Sequence, residues 1–368
     1  MRIGNRFCSV LMAGGLALLA GCAHWRPPAE PAQSPQVVKH QIESLLPAEA
    51  GDRRGWAQDI YTAFVAQDID PSKSHICSTL AVVGQESTFD ADPEVPNLAS
   101  IARREIDRRA FKAHVPHFLV ETALGLESST GETYKQRLAH VTTERELSEL
   151  FQDFVAQVPL GRRLFGSFNP VHTGGPMQVD VAFAEAHDAD YPYAVEGSIR
   201  DEVFRRRGGL YFGILHLFGY TVDYPSPLYR FADYNAGWFA SRNAAFQNAV
   251  AELTGRDLAL DGDLLIHGSS AVSQTERATR MLAKRIDQDD NDIHAALRQG
   301  QSADFADTSV YRRVFVLADQ QAGERVPRAV LPGIELESPK ITRDLTTAWF
   351  AKRVESRWQD CMARGRSG

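Results

Sequence analysis

Apolar residues recur at intervals of three and four along most of this 368-residue chain, whereas strict alternation of apolar and polar residues is scarce. Intervals of three and four place side chains on one face of an α-helix, while alternation is typical of a strand. The helical pattern covers residues 38–46 and 56–69, and the apolar run 208–220 predicts a buried helix. Residues 314–317 form a short apolar run that fits either a strand or a helix. We therefore predict an all-α fold.

Signals for helix ends refine this prediction. Ser74 is a candidate N-cap for a helix over residues 75–85. Residues 98–127 predict two helices interrupted near Pro116, because proline cannot continue a helix. Further helices are expected at residues 239–254, 275–286 and 341–361.

The N-terminus has the pattern of a processed targeting segment. Two arginines precede an apolar stretch over residues 10–20, which is too short for a membrane span. Leu18-Leu19-Ala20-Gly21-Cys22 resembles the bacterial lipobox, in which the cysteine is acylated after cleavage. With Ala23 next, the resemblance implies an outer-membrane lipid anchor at Cys22, facing the periplasm. An ordinary secretory signal with an incidental cysteine is the alternative.

The cysteines and the net charge limit which covalent links and which partners are expected. Beyond the N-terminal segment only Cys77 and Cys361 remain, and they could form a disulfide or be two buried free thiols. The net charge of −7 argues against nucleic acid as a partner, since that would need a basic face. We expect no metal and no cofactor, because neither a metal-ligand spacing nor a phosphate-binding glycine loop occurs.

Glu86 is the first candidate catalytic residue. It lies at the C-terminal end of its predicted helix, where the helix dipole disfavours an ionised carboxylate. Val82, Val83 and Phe89 would desolvate it, so we expect a raised pKa suited to a general acid. A surface glutamate at a helix end is the alternative.

Two later segments contain further candidates. In Gly174-Gly175-Pro176-Met177-Gln178, a tight turn precedes an adaptable apolar side chain and a carboxamide, which could hold an N-acetyl sugar. In Asp233-Tyr234-Asn235-Ala236-Gly237, Tyr234 could stack on a sugar, and the small residues could admit a ligand or another chain. A plain turn and a helix corner are the alternatives.

Together these segments resemble the motifs of the family 1 lytic transglycosylases, which belong to the goose-type lysozyme-like superfamily. The family order of Glu-Ser, Gly-Leu-Met-Gln and Tyr-Asn-Ala-Gly is matched by residues 86–87, 175–178 and 234–237. Pro176 replaces the family's leucine. The whole chain also looks like an uncharacterised family of proteobacterial lipoproteins.

The resemblance implies a domain layout. A signal peptide (1–21) and a tether (22–36) would precede a lysozyme-like domain (37–255), and a helical C-terminal extension (256–368) would pack on it. The interval from Glu86 to Gln178 is much longer than in the family, so a helical insertion is expected at about 97–170. Thr143 and Glu146 have the spacing of a capping box within it.

The resemblance also implies an activity, which is cleavage of the β-1,4 bond between N-acetylmuramic acid and N-acetylglucosamine in peptidoglycan. Glu86 would act as acid and then as base, giving a 1,6-anhydro product without water. The implied sugar contacts are Ser87, Met177, Gln178, Tyr234 and Asn235.

Two other functions remain open. A hydrolytic muramidase would need a second carboxylate, for which Asp90, Asp180 and Asp233 are candidates. A non-catalytic peptidoglycan-binding or scaffolding envelope protein could keep the same fold.

Overall fold

Helices dominate the chain in the computed structural model, which describes residues 33–157, 169–266, 268–335 and 345–364. The sheet within these ranges is one short antiparallel hairpin of two strands. The predicted all-α fold is confirmed. The predicted signal peptide and the acylation site Cys22 lie outside the described residues.

The helices of the first half are α1 (Pro35–Leu45), α2 (Arg53–Ala66), α3 (Lys73–Glu86), α4 (Leu98–Lys112), α5 (His117–Leu124), α6 (Tyr134–His140) and α7 (Glu144–Gln157). The hairpin consists of β1 (Thr173–Gly174) and β2 (Val179–Asp180). The remaining helices are α8 (Val181–Ala186), α9 (Ile199–Val203), α10 (Arg206–Phe218), α11 (Pro227–Ala236), α12 (Ala240–Thr254), α13 (Gln274–Met281), α14 (Ala283–Ile286), α15 (Asp290–Leu297), α16 (Ser309–Ala322) and α17 (Thr347–Ala363). A 3₁₀ turn at Ala303–Asp307 precedes α16.

The first hydrophobic cluster combines α1, α2, α3, α10, α11 and α17. Helix α3 is its most buried member, since every residue from Ile76 to Gly84 is buried. Its N-cap is Ser72, whose hydroxyl accepts from the backbone N–H of His75, and not Ser74 as predicted. Helix α3 therefore begins two residues earlier than the sequence suggested, in a segment where both Ser72 and Ser74 could cap.

The predicted insertion forms a cluster of its own from α4 to α7, joined by Val171 and Phe204. The interruption near Pro116 is present, because α4 ends at Lys112 and α5 begins at His117. The capping box is present too: the Glu146 N–H donates to Thr143 Oγ1, and the Thr143 N–H donates to Glu146 Oε2, both at 3.2 Å.

A third cluster extends from α12 to α16. The run at residues 314–317, which fitted a strand or a helix, lies inside α16. Helix α12 supplies Phe246 and Val250 to this cluster, so the predicted domain division after residue 255 does not coincide with the boundary between clusters.

The last helix, α17, returns to the first cluster. It packs against α3 and α11, burying Phe350, Ala351 and Val354. Cys361 near its end forms a disulfide with Cys77 of α3, so of the two alternatives for these cysteines the structure has the paired one. Within the described ranges, no helix combines the length and apolar character needed to cross a bilayer.

Candidate active site

Glu86 is the final residue of α3 and is half-buried. The helix reaches this point through the first cluster, so Glu86 follows directly on the apolar part of α3. Ser87 follows as the C-cap and is 4% exposed, and its hydroxyl donates to the backbone carbonyl of Val83 at 3.1 Å. Because the hydroxyl hydrogen is engaged, the predicted sugar contact of Ser87 would have to use this oxygen as an acceptor.

The second segment forms the turn of the hairpin. The Gln178 N–H donates to the Gly175 carbonyl at 3.1 Å, which closes the turn. Gly175 has φ +73°, and an added Cβ would lie 2.0 Å from the carbonyl oxygen of Val203 in α9. The turn therefore requires glycine for its conformation and for its close approach to α9.

Met177 does not offer a surface to a ligand, in contrast to the prediction. Its side chain is 0% exposed and fills the space above Gly213 of α10, where an added Cβ would lie 2.5 Å from its sulfur. The methionine fixes the turn to α10, and the half-buried Gln178 beside it stays available to solvent.

Tyr234 connects the second and third segments. Its hydroxyl donates to the Met177 carbonyl at 2.6 Å. Burial and then the nearby charge of Glu86 raise the pKa of Tyr234 well above its usual range. The phenol of the third segment is therefore bonded to the second segment and lies within electrostatic range of Glu86 in the first. With 9% exposure and its hydroxyl engaged, Tyr234 cannot stack on a sugar as predicted; it holds the turn in place.

Asn235 is exposed, and its side-chain oxygen accepts a 2.8 Å hydrogen bond from Thr347 Oγ1 at the start of α17. Its amide N–H groups have no hydrogen-bond partner among the described residues. Gly237 ends α11 with φ +103°, and an added Cβ there would meet nothing within 4 Å. The backbone conformation therefore requires glycine at 237, and the space beside it is open.

Asp233 has no role as a second catalytic carboxylate. It is 0% exposed and accepts from Tyr220 at 3.0 Å, from Tyr224 at 2.6 Å and from the Ser241 N–H at 2.6 Å. Burial raises its pKa, although these hydrogen bonds oppose the shift. A carboxylate enclosed in this way joins α11 to α12 and cannot activate water.

The other two candidates are exposed and have local contacts. Asp180 caps α8 by accepting from the Phe183 N–H at 2.8 Å. Asp90 accepts from the Asp92 N–H at 3.1 Å.

Strained backbone marks all three segments. Positive φ is rare for residues other than glycine, asparagine, aspartate and histidine, and it costs about 1–3 kcal/mol. Among the described residues, those that break this rule are Thr88, Phe89, Gln178 and Phe239. Each lies within one of the three segments or at most two residues after it. Such strain persists only where surrounding packing enforces it, and it concentrates at functional sites.

An aromatic strip next to Tyr234 was missed by sequence reasoning. We use this name for Phe183, His187, His216 and Trp238, which are all half-buried. The His216 ring lies 5.0 Å from the Tyr234 ring and 4.8 Å from the Phe183 ring, and Phe183 stacks on His187 at 4.2 Å. Helix α8 brings Phe183 and His187 to this place five and nine residues after Gln178, but no short motif marks them.

A charged cavity of about 800 Å³ lies where the insertion meets α9. It is lined by Arg145, Glu149, Glu196, Gly197, Asp201 and Arg205. Two contacts connect the lining of this cavity to the candidate site. Arg145 pairs at 2.7 Å with Asp92, which lies six residues after Glu86. On the other side, Val203 and Phe204, next to Arg205, contact the turn at residues 174–175. Burial raises the pKa of Glu149.

Comparison with known proteins identifies the family of this chain, but the proteins that match have no assigned activity. Residues 49–364 match the family described as "Protein of unknown function (DUF1615)". The chain is 51% identical over 346 residues to the "Uncharacterized protein YaiW" of Escherichia coli (strain K12), covering 94% of this chain and 95% of that protein. No solved structure matches. The chain therefore belongs to the DUF1615 family.

Proposed function

We propose that this member of the DUF1615 family cleaves peptidoglycan glycan strands as a lytic transglycosylase, with Glu86 as its acid and base. The observation that carries the proposal is the position of Tyr234, whose hydroxyl is bonded to the Met177 carbonyl and which lies within electrostatic range of Glu86. Residues 86, 177 and 234 are far apart in sequence, so only the fold brings them near one another. The strained backbone beside each segment supports the same proposal.

In the first step, protonated Glu86 donates its proton to the glycosidic oxygen as the C1–O bond breaks. The N-acetyl group of the muramic acid stabilises the positive charge at C1, so no protein nucleophile takes part. The fully enclosed Asp233 fits such a mechanism better than one that needs a second carboxylate.

In the second step, the Glu86 carboxylate takes the proton from the C6 hydroxyl of the same sugar while its oxygen attacks C1. The glutamate returns to its protonated form, and the sugar leaves as a 1,6-anhydro ring. No water is consumed.

Polar groups at the surface would position the sugar. Among the motif side chains, Asn235 is exposed, and the half-buried Gln178 reaches solvent while its carboxamide contacts Thr173 and the Gly175 carbonyl. Their side chains supply donors and acceptors for an N-acetyl group. The aromatic strip would add a flat apolar face, which suits the C–H face of a pyranose.

The charged cavity suits the peptide stems of peptidoglycan. Stem peptides carry carboxylates and amines together, and the cavity presents two arginines beside three acidic side chains. In this proposal the insertion forms one wall of the binding region, through Arg145 and Glu149 of α7. Lipid attachment at Cys22 would hold the enzyme at the outer membrane, facing the periplasm.

Digestion of purified sacculi tests the activity. We expect the wild type to release muropeptides that are one water lighter than hydrolysed ones, and Glu86→Gln to release none. Glu94→Gln is the matched control, because Glu94 is exposed and also belongs to the segment near the insertion. Products that contain the water would show hydrolysis, and equal release by Glu86→Gln would exclude Glu86 as the catalytic acid.

A non-catalytic glycan-binding role is the second candidate, and one observation favours it. The Asn235 carboxamide oxygen is already bonded to Thr347, and the Ser87 hydroxyl donates within its own helix, so two motif side chains are partly committed to the fold. Sacculus binding without soluble products, with wild type and Glu86→Gln alike, would establish this role.

A further inference from the structure

The corner between α4 and α5 exposes an unusual set of side chains. All nine residues from Phe111 to Leu119 are exposed, in a stretch reading Phe-Lys-Ala-His-Val-Pro-His-Phe-Leu. Phe111 is 82% exposed and Phe118 is 67% exposed. They are the only phenylalanines among the exposed large apolar side chains of the described residues. Val115 and Leu119 complete the apolar surface.

The conformation of this corner is well defined. The Val115 N–H donates to the Ala110 carbonyl at 2.8 Å, and the Leu119 N–H donates to the Pro116 carbonyl at 3.0 Å. Below it, Val120 and Leu124 belong to the insertion's hydrophobic cluster. The exposed side chains are therefore held outward on a rigid support.

The charge around the corner is positive. Residues 98–120 contain five lysines and arginines but only two acidic residues, in a chain whose net charge is −7. No acidic residue lies between Asp107 and Glu121. Arg108 and Arg109 share Glu105, while exposed Lys112 has no ion-pair or hydrogen-bond partner among the described residues.

We propose that the α4–α5 corner inserts into an anionic lipid surface, with Phe111 and Phe118 in the acyl boundary and Lys112 at the phosphates. Apolar side chains flanked by basic ones are the composition that binds the interface of an anionic bilayer. A lysine can extend its aliphatic stem along apolar surface while its ammonium group stays at the headgroups.

The size of the corner favours a bilayer over a protein partner. A stable protein interface occupies about 800 Å² and about 20–30 residues on each side. A projecting corner of nine residues is smaller than that, but two phenylalanines are enough to enter the bilayer boundary. This inference does not depend on the proposed enzymatic activity.

Site-directed fluorescence on the full chain tests the proposal. The protein is purified from membranes, labelled with bimane at Val115→Cys and reconstituted into phosphatidylcholine vesicles containing phosphatidylglycerol. Labelling of the wild type gives the background from native cysteines. Val316→Cys is the matched control, because Val316 is also an exposed valine, but it lies on α16, whose buried face belongs to a different hydrophobic cluster.

We expect lipids brominated in the acyl chain to quench the label at 115 at least about twofold more than the label at 316. Phe111→Ser with Phe118→Ser should abolish this difference, and Lys112→Glu or high salt should reduce it. Sacculus digestion by these variants should equal that of the wild type, which separates this proposal from the enzymatic one.

Two outcomes would overturn the proposal. Equal quenching at 115 and 316 would show that the corner stays in water. A blue-shifted label at 115 that brominated lipid does not quench would show that protein covers the corner, either a second copy or another partner.

Discussion

The Tyr234 hydroxyl donates a 2.6 Å hydrogen bond to the backbone carbonyl of Met177, and so joins the end of α11 to the hairpin turn. Met177 is fully buried, so this carbonyl depends on Tyr234 for its partner. The phenol thereby fixes the position of Gln178 relative to the charge of Glu86. Tyr234 is a positioning residue in this arrangement.

Tyr234→Phe should therefore weaken both the fold and the site. Leaving a buried carbonyl unpaired costs about 1–3 kcal/mol in the free energy of unfolding. Displacement of the turn should lower sacculus digestion about 10- to 100-fold. Tyr229→Phe on the same helix is the control, because its hydroxyl has no hydrogen-bond partner among the described residues. Denaturant unfolding and muropeptide release measure the two effects, and equal behaviour of both variants would contradict the role of Tyr234.

Gly175→Ala, which adds one methyl group, should strongly destabilise the fold. Positive φ and a Cβ placed 2.0 Å from the Val203 carbonyl together should cost about 3 kcal/mol or more. Gly51→Ala provides the comparison, since an added Cβ there meets nothing within 4 Å. Thermal unfolding measures both. A Tm for Gly175→Ala equal to that of Gly51→Ala would show that the turn differs from the structure.

Glu202 should make stability depend on acid pH. It is fully buried in α9; burial opposes ionisation, but hydrogen bonds from Arg207, Tyr191 and the Glu196 N–H outweigh it and lower the pKa to about 2. In the unfolded chain the pKa of a glutamate is about 4.3. Ionised Glu202 therefore contributes up to about 3 kcal/mol to the free energy of unfolding above that pH, and this contribution is lost as pH falls toward 2.

Unfolding of wild type and Glu202→Gln between pH 2 and pH 7 checks this expectation, with exposed Glu252→Gln as the control. The difference in the free energy of unfolding between wild type and Glu202→Gln should narrow as pH falls from about 4 to about 2. A gap that stays constant over this range would refute the ionised, buried state of Glu202.

Reduction should loosen the attachment of α17 to α3. Loss of a native disulfide costs about 2–5 kcal/mol in a folded chain, and the Cys77–Cys361 bond joins residues 284 apart. Reductant should lower the Tm of the wild type and leave the Cys77→Ala/Cys361→Ala variant unchanged. If reductant affects both equally, the effect does not come from this bond.

The aromatic strip should contribute to sacculus binding. Trp238→Ala removes a half-buried indole that stacks near His216, and we expect binding to weaken about fivefold. Trp238→Phe keeps a ring and should retain most of the affinity. Sedimentation of each variant with purified sacculi measures this, and equal loss in both would point to the indole N–H, which donates to the His216 carbonyl.

Much of the helical architecture could be predicted, because the first cluster imposes regular apolar spacing on α1, α2 and α10. The break near Pro116 and the capping box at Thr143 followed from local chemistry. The roles of Met177 and Tyr234 were misjudged because burial is set by the packing of α10 and α11 against the hairpin. The aromatic strip depends on tertiary contacts between α8, α10 and Trp238, which no local pattern reveals.

Helix α17 has a consequence for the order in which the molecule matures. It covers α3 and α11, so a partly folded chain in which the final residues have not yet docked leaves an apolar flank of the Glu86 helix uncovered. Contacts this distant form late and leave such intermediates prone to association. The helices that carry Glu86 and Tyr234 therefore gain their full packing only once residues 347–363 have docked.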